Sequence, residues 1–337
     1  MPDLKEKISA YNNGVKPLVM AYIGQDDPHR GDSKGAIGVG RIVAQMIGGD
    51  YVYVDEQRLA AKFNEVSGYS NQLQCYIQSV GDPDIVIGPS TSFMRKFVSE
   101  PTTLSEERYN EDYSQLRVKD SCGVVSHDLT DGFLNAAGRC FAEHNVERNI
   151  NIQGSLVGVL MGGAYGQMDM VAKSMVDMAH HMPEATFYLC PSRRTGMFHF
   201  KALKREIEIA AMREKTEIHI IGESYARQAH GYNPYHGLLA KADHLVIAGD
   251  SGSIISEALY TKKRIYVASP PAVLQPLIDK GHITDLFSVS GQPFLNLAMP
   301  RVNVTTEVAA SIAYEYMIAR DEKIKRKAYL QELVKCL

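Results

Sequence analysis

A short polar loop between a strand and a helix is where a parallel α/β protein can grip a phosphate. The run Ala248-Gly249-Asp250-Ser251-Gly252-Ser253-Ile254-Ile255-Ser256-Glu257-Ala258 has that form. Small hydroxyl and glycine residues let phosphate oxygens reach backbone N–H groups. Ser253 and Glu257 are four apart and so share one helix face, where a carboxylate one turn in can accept hydrogen bonds from ribose hydroxyls. Ile254, Ile255 and Ala258 turn the other way, toward a sheet. Asp250, Ser251, Ser253 and Glu257 are therefore candidate nucleotide ligands. The plainer alternative is that Ser253 is an N-cap and Glu257 a dipole partner.

Three further segments fall at strand ends. Pro191-Ser192-Arg193-Arg194-Thr195-Gly196 sets two guanidiniums between two hydroxyls, a donor set suited to a diphosphate, although a solvated turn would look the same. Met161-Gly162-Gly163-Ala164-Tyr165-Gly166 is a glycine turn open to close backbone approach at Gly162 and Gly163, but it lacks the full G-x-G-x-x-G order. Gly231-Tyr232-Asn233-Pro234-Tyr235 leads into a helix with Asn233 as cap and Pro234 at the first position, which leaves the tyrosines, Tyr235 among them, as candidates to stack on a base.

Such loops need strands and helices in alternation to hold them. In the first half, Leu18 to Ile23, Val52 to Val54, Asp84 to Ile87 and Cys122 to Ser126 read as strands, with helices over Gly35 to Ile47 and Gln72 to Val80. Glu100 to Asp120 is charged and weakly patterned, as expected of a surface excursion or lid. In the second half the strands are Leu156 to Met161, Ala185 to Cys190, Glu217 to Ile221, His244 to Ala248 and Arg264 to Ala268. The helices between and after them are Gly166 to His181, Phe198 to Arg213, Pro234 to Lys241, Ser253 to Thr261 and Leu274 to Lys280. The order β, α, β, α implies parallel sheets covered on both faces. At 337 residues the chain exceeds the length of about 250–300 at which one core stops growing. The expected division is an N-terminal domain over 1–148, a nucleotide-binding domain over 149–303, and a C-terminal helix over 304–337 that crosses back to the first. Asn145 to Gln153 reads as the linker.

The bulk numbers narrow the class. Hydrophobic residues at 45% and charged residues at 22% are ordinary for a globular fold. A net charge of −3 offers no footprint for a polyanion, so nucleic acid is not an expected partner. Five cysteines without C-x-x-C spacing fit a reducing compartment, here the cytoplasm. No apolar run approaches about 18 residues, which leaves peripheral membrane contact open but not a span.

The run Ser192-Arg193-Arg194-Thr195, the helix start Asn233-Pro234-Tyr235, and Asp250-Ser251 through Ser256-Glu257-Ala258 resemble the mitochondrial-fission "elongated mitochondria" family and its bacterial relatives. More broadly, they resemble the nucleotide half of glycosyltransferases of the GT-B fold. The resemblance spans roughly residues 155 to 275. It implies two Rossmann-like doubly wound domains facing a cleft, with a nucleoside-diphosphate sugar as donor and no tightly bound cofactor. Glu257 would hold the ribose, Ser251 and Ser253 with Arg193 and Arg194 the diphosphate, and Asn233 would shape the donor loop.

The acceptor, expected to be lipid-linked or a surface glycan, would then face the first domain, where the loop Gln25-Asp26-Asp27-Pro28-His29-Arg30 follows the first strand. Removing the acceptor proton takes a carboxylate or an imidazole, so Asp26, Asp27, His29 and His127 are candidate catalytic groups. His180-His181 points in two directions on a helix and implies no metal. Sugar transfer without a metal is the expected activity. A nucleotide-sugar 2-epimerase or hydrolase, and a non-catalytic scaffold that recruits partners, are the alternatives.

Overall fold

The computed structural model describes residues 16–24, 31–67, 69–80, 83–87, 126–162, 167–192, 194–222, 232–249, 251–289 and 299–321, the last range without 307, 311, 315 and 319. Contacts separate two compact units: Met1–Ser121, Val125–Asp128 and Asn303–Leu337 form one, and Cys122–Val124 with Leu129–Val302 the other. The strand expected over Cys122 to Ser126, the segment Glu100 to Asp120 and the last part of the final helix fall outside the described residues, apart from Ser126, which is not in a strand.

In the first unit β1 (Leu18–Gly24), α1 (Gly31–Ile47), β2 (Asp50–Asp55), α2 (Glu56–Lys62), α3 (Tyr69–Val80) and β3 (Ile85–Ile87) follow one another. The sheet order is β2-β1-β3, all parallel, with Met20 paired to Val52 on one side and Val86 on the other. Met20, Tyr22, Val54, Leu59, Leu73, Ile77 and Val86 make its core. Helix α2 has no sequence boundary of the usual kind, because its cap, Asp55, is also the last residue of β2. The Asp55 carboxylate accepts from the Arg58 N–H at 2.7 Å, turning strand into helix without glycine or proline. Residues 304–306, 308–310, 312–314, 316–318 and 320–321 are helical and return to this unit, burying Val308, Ala309, Ile312, Ala313 and Tyr316 along one stripe.

The second unit carries α4 (Asp131–Glu147), β4 (Leu156–Met161), α5 (Met168–His181), β5 (Thr186–Pro191), α6 (Gly196–Glu214), β6 (His219–Gly222), α7 (Tyr235–Lys241), β7 (His244–Ala248), α8 (Gly252–Tyr260), β8 (Arg264–Val267), α9 (Gln275–Asp279) and β9 (Thr284–Asp285). The sheet order is β6-β5-β4-β7-β8-β9, again parallel throughout, as expected of an α/β fold with parallel sheets. Strands β4, β5 and β7 are buried along their whole length, which is why they read as unbroken apolar runs rather than alternating ones.

Helix α4 belongs with this unit through two close approaches. A Cβ on Gly138 would meet Lys241 Cε at 2.9 Å and Ala240 Cβ at 3.2 Å, and one on Gly237 would meet Phe141 Cβ at 2.5 Å, so glycine on each helix lets α4 and α7 come close. Asp131, in the first turn of α4, also forms a forked ion pair with Arg301, whose guanidinium lies 4.0 Å over the Tyr260 ring.

Both units start their sheets with the same device. Asp84, just ahead of β3, accepts from the Leu18 N–H at 2.8 Å and donates its own N–H to the Leu18 carbonyl. Asp243, just ahead of β7, does the same with Leu156. These forks fix the register of the central pair in each sheet.

Next to Asp243, His244 is 1% exposed, and its Nδ1 has no hydrogen-bond partner among the described residues. Burial holds its pKa below the ordinary value of 6.5, against the pull of Asp243 and with Arg264 and Lys263 reinforcing the shift. The unfolded chain takes up a proton on this imidazole as pH falls through 6.5, and the folded chain does so only at lower pH. His244 thus contributes stability above that value that is lost on acidification. Urea denaturation should lose less stability between pH 7 and pH 5 in His244→Phe than in the parent, by up to about 1 kcal/mol. An unchanged difference would show that this imidazole titrates normally.

Candidate functional site

Counted within the second unit, the strands lie in the order third, second, first, fourth, fifth, sixth, so the direction of winding reverses between β4 and β7. In open parallel sheets that reversal opens a crevice at the carboxyl ends of the two strands. Here those ends are joined backbone to backbone. The Gly162 N–H donates to the Ala248 carbonyl at 2.9 Å, and Gly249, at φ +132°, lies so close to Gly162 that a Cβ would come within 1.7 Å of its carbonyl oxygen. A Cβ on Gly162 would in turn stand 2.5 Å from Ile254 Cδ1 and 3.0 Å from Ser251 Cβ. Glycine at both positions brings the start of α8 onto the end of β4. Ser251 is buried, Ser253 is half-buried, and their hydroxyls are 3.3 Å apart at the head of that helix.

The end of β5 is tied to the same place. Thr195, fully buried, donates its hydroxyl to the Met161 carbonyl at 3.0 Å and accepts from the Ser192 N–H at 2.8 Å, while Ser192 N–H also donates to the Met161 carbonyl at 2.9 Å. The Ser192 and Thr195 hydroxyls lie 3.2 Å apart. Thr195 therefore secures the loop to β4, and Arg194 projects from the secured loop into solvent.

Glu257 lies in the second turn of α8 and is only 2% exposed, so its carboxylate must be met by donors. The Tyr235 hydroxyl donates to its Oε2 at 2.6 Å, the length of a charge-assisted O–H···O bond. Tyr235 is itself placed by Asn233, whose Oδ1 accepts from the Tyr235 N–H, the first of α7, at 3.0 Å, with Pro234 rather than Asn233 at the cap position. Tyr232 stacks on His144 at a centroid distance of 4.5 Å. Burial, with Cys140 and Cys190 adding to it, pushes its phenol up to about 12.

Gly162, Ser192, Thr195, Ser251 and Ser253 thus meet at one sheet edge, with Glu257 on the helix that starts there and Tyr235 bonded to it. His127 lies in the other unit, 3% exposed. Its N–H donates to Thr305 Oγ1 and its carbonyl accepts from the same hydroxyl, at 2.9 and 3.1 Å. Asp26, Asp27, His29, Gly163, Arg193 and Asp250 lie outside the described residues. Among the described residues, no three or more His, Cys, Asp or Glu side chains are grouped to hold a metal ion, and no helix is long and apolar enough to cross a membrane.

Two residues that motif reading passed over belong to this edge. Gln167, just ahead of α5, and Ser269, after β8, both take left-handed backbone conformations, at φ 67° and 50°, and the Ser269 hydroxyl donates to Gln167 Oε1. Such conformations cost non-glycine residues about 1 kcal/mol or more, so two joined by a hydrogen bond mark an edge built under constraint. Ser269-Pro270-Pro271 carries a turn signal in sequence, whereas nothing local distinguishes Gln167.

The family model described as mitochondrial fission ELM1 matches residues 115–315. A search of curated proteins gave no match. Among solved structures, a glycosyltransferase from Rickettsia africae is similar at 11% identity over 93% of this chain and 98% of that one, with a TM-score of 0.46. A family 9 glycosyl transferase from Veillonella parvula is similar at 12% identity over 89% and 97%, with a TM-score of 0.42. A UDP-GlcNAc 2-epimerase from Neisseria meningitidis, bound to UDP-GlcNAc, is similar at 11% identity over 94% and 80%, with a TM-score of 0.39.

Proposed function

The chain belongs to the mitochondrial fission ELM1 family, and on that premise we propose that its second unit binds a nucleoside-diphosphate sugar and that the protein transfers the sugar to an acceptor hydroxyl. The observation that carries this is the reversal of winding at β4 and β7, furnished with Gly162, Gly249, Ser251 and Ser253 and followed by a buried carboxylate, Glu257, held by Tyr235. At the head of α8, free N–H groups and two hydroxyls offer donors to phosphate oxygens, and the helix dipole favours the negative charge. Arg194 and Arg193 add cations from the neighbouring loop. Glu257 accepts from the ribose, and the 2.6 Å bond from Tyr235 fixes the direction in which it does so. In transfer the bond from the anomeric carbon to the diphosphate breaks, and these same donors stabilise the charge left on the departing nucleoside diphosphate. The acceptor proton needs a base, for which Asp26, Asp27 and His29 stand as candidates.

Calorimetric titration of the full chain with UDP, GDP and ADP tests the binding step. One of them should bind well below millimolar concentration, and Arg194→Ala should weaken that binding about tenfold while leaving the matching nucleoside unaffected, because only the phosphates meet the guanidinium. Acceptor-dependent release of the nucleoside diphosphate would establish transfer. Release without an acceptor would indicate a hydrolase, and conversion of the donor to its C2 epimer without net release of the nucleoside diphosphate would indicate an epimerase. If none of the three binds below millimolar concentration, the donor site does not exist and the partner-recruiting reading replaces it.

A further inference from the structure

The first turns of α6 present a surface that neither the fold nor the nucleotide site requires. Phe198 is 78% exposed and Met197 45% exposed, while Phe200, Leu203, Ile207 and Ala211 on the opposite face bury themselves against the sheet. Arg194 precedes the exposed pair and Lys201 and Arg205 follow it at about one and two turns, all three exposed, with Lys204 half-buried between them and Glu206 half-buried and Glu208 exposed just beyond. No Asp or Glu occurs between Glu184 and Glu206. Phe198, Lys201 and Arg205 follow one another at three and four residues and so share the outward stripe of the helix.

Helix stability does not account for this pattern. The helix dipole favours carboxylates in the first turn and cations in the last, and α6 begins with no acidic residue and no side-chain cap. A lone exposed apolar residue is common on protein surfaces, but two adjacent ones with exposed cations before and after them and no acidic residue before Glu206 form a patch with its own chemistry. An aromatic tip that inserts below lipid headgroups, surrounded by cations that meet anionic headgroups, is the arrangement by which a helix lies at a membrane surface.

We propose that the amino-terminal half of α6 docks the protein on an anionic lipid surface, with Phe198 and Met197 entering the headgroup region and Lys201 and Arg205 pairing with lipid phosphates and carboxylates. This stands apart from the nucleotide reading, since neither Phe198, Met197, Lys201 nor Arg205 is among the donor-site residues. The two are spatially related nonetheless. α6 leaves the sheet at the end of β5, the same edge that carries Gly162 and Ser251, so docking there turns that edge toward the bilayer.

Co-sedimentation of the full chain with vesicles tests the proposal. Binding is expected to vesicles of phosphatidylcholine with phosphatidylserine and not to phosphatidylcholine alone, and to weaken as salt is raised. Lys201→Glu with Arg205→Glu should lower the partition coefficient at least about tenfold, and Phe198→Ser about fivefold, with melting temperature and affinity for the nucleoside diphosphate found by titration unchanged because these side chains are exposed. Conserved nucleoside-diphosphate binding alongside lost vesicle binding separates this surface from the donor site. Failure to sediment with phosphatidylserine vesicles at low salt overturns the proposal, as does equal binding by the variants. It is equally overturned if Phe198→Ser instead dissolves a dimer or abolishes binding to a single-stranded oligonucleotide, since the patch would then serve a second copy or a nucleic acid.

Discussion

Alanine at Gly249 should cost the second unit about 3 kcal/mol or more in urea denaturation and remove nucleotide binding with it. Two penalties coincide there. The backbone is at φ +132°, a region essentially closed to side chains, and the added Cβ would fall 1.7 Å from the Gly162 carbonyl oxygen, a backbone atom that cannot rotate aside. Relief requires β4 and β7 to part at their carboxyl ends, which breaks the Gly162 to Ala248 hydrogen bond and lifts Ser251 from its place. Gly196→Ala is the control. Gly196 is also at positive φ, +63°, but a Cβ there meets nothing within 4 Å, so only backbone strain of about 1 kcal/mol is expected. Equal losses in the two variants would mean that the β4 and β7 loops are not locked together, and the proposed phosphate cradle would have no rigid floor.

The second large effect is expected at Glu257. Glu257→Gln should weaken nucleoside-diphosphate binding about 10- to 100-fold, the range for losing hydrogen bonds to a charged acceptor. It should also erase the preference for whichever of UDP, GDP and ADP binds over its 2′,3′-dideoxy counterpart, which the parent should show. Tyr235→Phe acts on the same group indirectly. It removes the 2.6 Å donor from a carboxylate that is 2% exposed, so stability should fall by about 1–3 kcal/mol and affinity more modestly. In the double variant the two losses should fall short of additivity by about 1 kcal/mol or more, the signature of direct contact. A parent protein that binds the dideoxy nucleotide as well as the matching ribonucleotide would remove Glu257 from the ribose. Additive losses would show that Tyr235 does not position it.

Strands β4 and β7 were legible to the residue in the sequence, because a strand buried on both faces is an unbroken apolar run. The polar loop after β7 was legible as well, since glycine and serine between a strand and a helix leave few other readings. Helix α2 was not, because its cap doubles as the end of β2. The linker expected over Asn145 to Gln153 begins inside α4, whose outward face carries enough polar residues to hide its period: Leu134, Gly138, Phe141 and Asn145 are its buried positions, with a glycine and an asparagine among them.

What the amino-acid order alone determined was local: which stretches extend, which coil, and which loops are rich in hydroxyls, glycine and arginine. Which of those loops become neighbours was decided by the tertiary structure. Parallel strands are joined through crossovers, so β4 lies beside β7 rather than β6 only because packing of the helices on both faces selects that order. The same holds for Tyr235 with Glu257, 22 residues apart, for Thr195 with Met161, 34 apart, and for Ser269 with Gln167, 102 apart. Each contact joins residues whose local sequence says nothing of the other, because its geometry follows from how whole layers stack and not from the chain on either side of it.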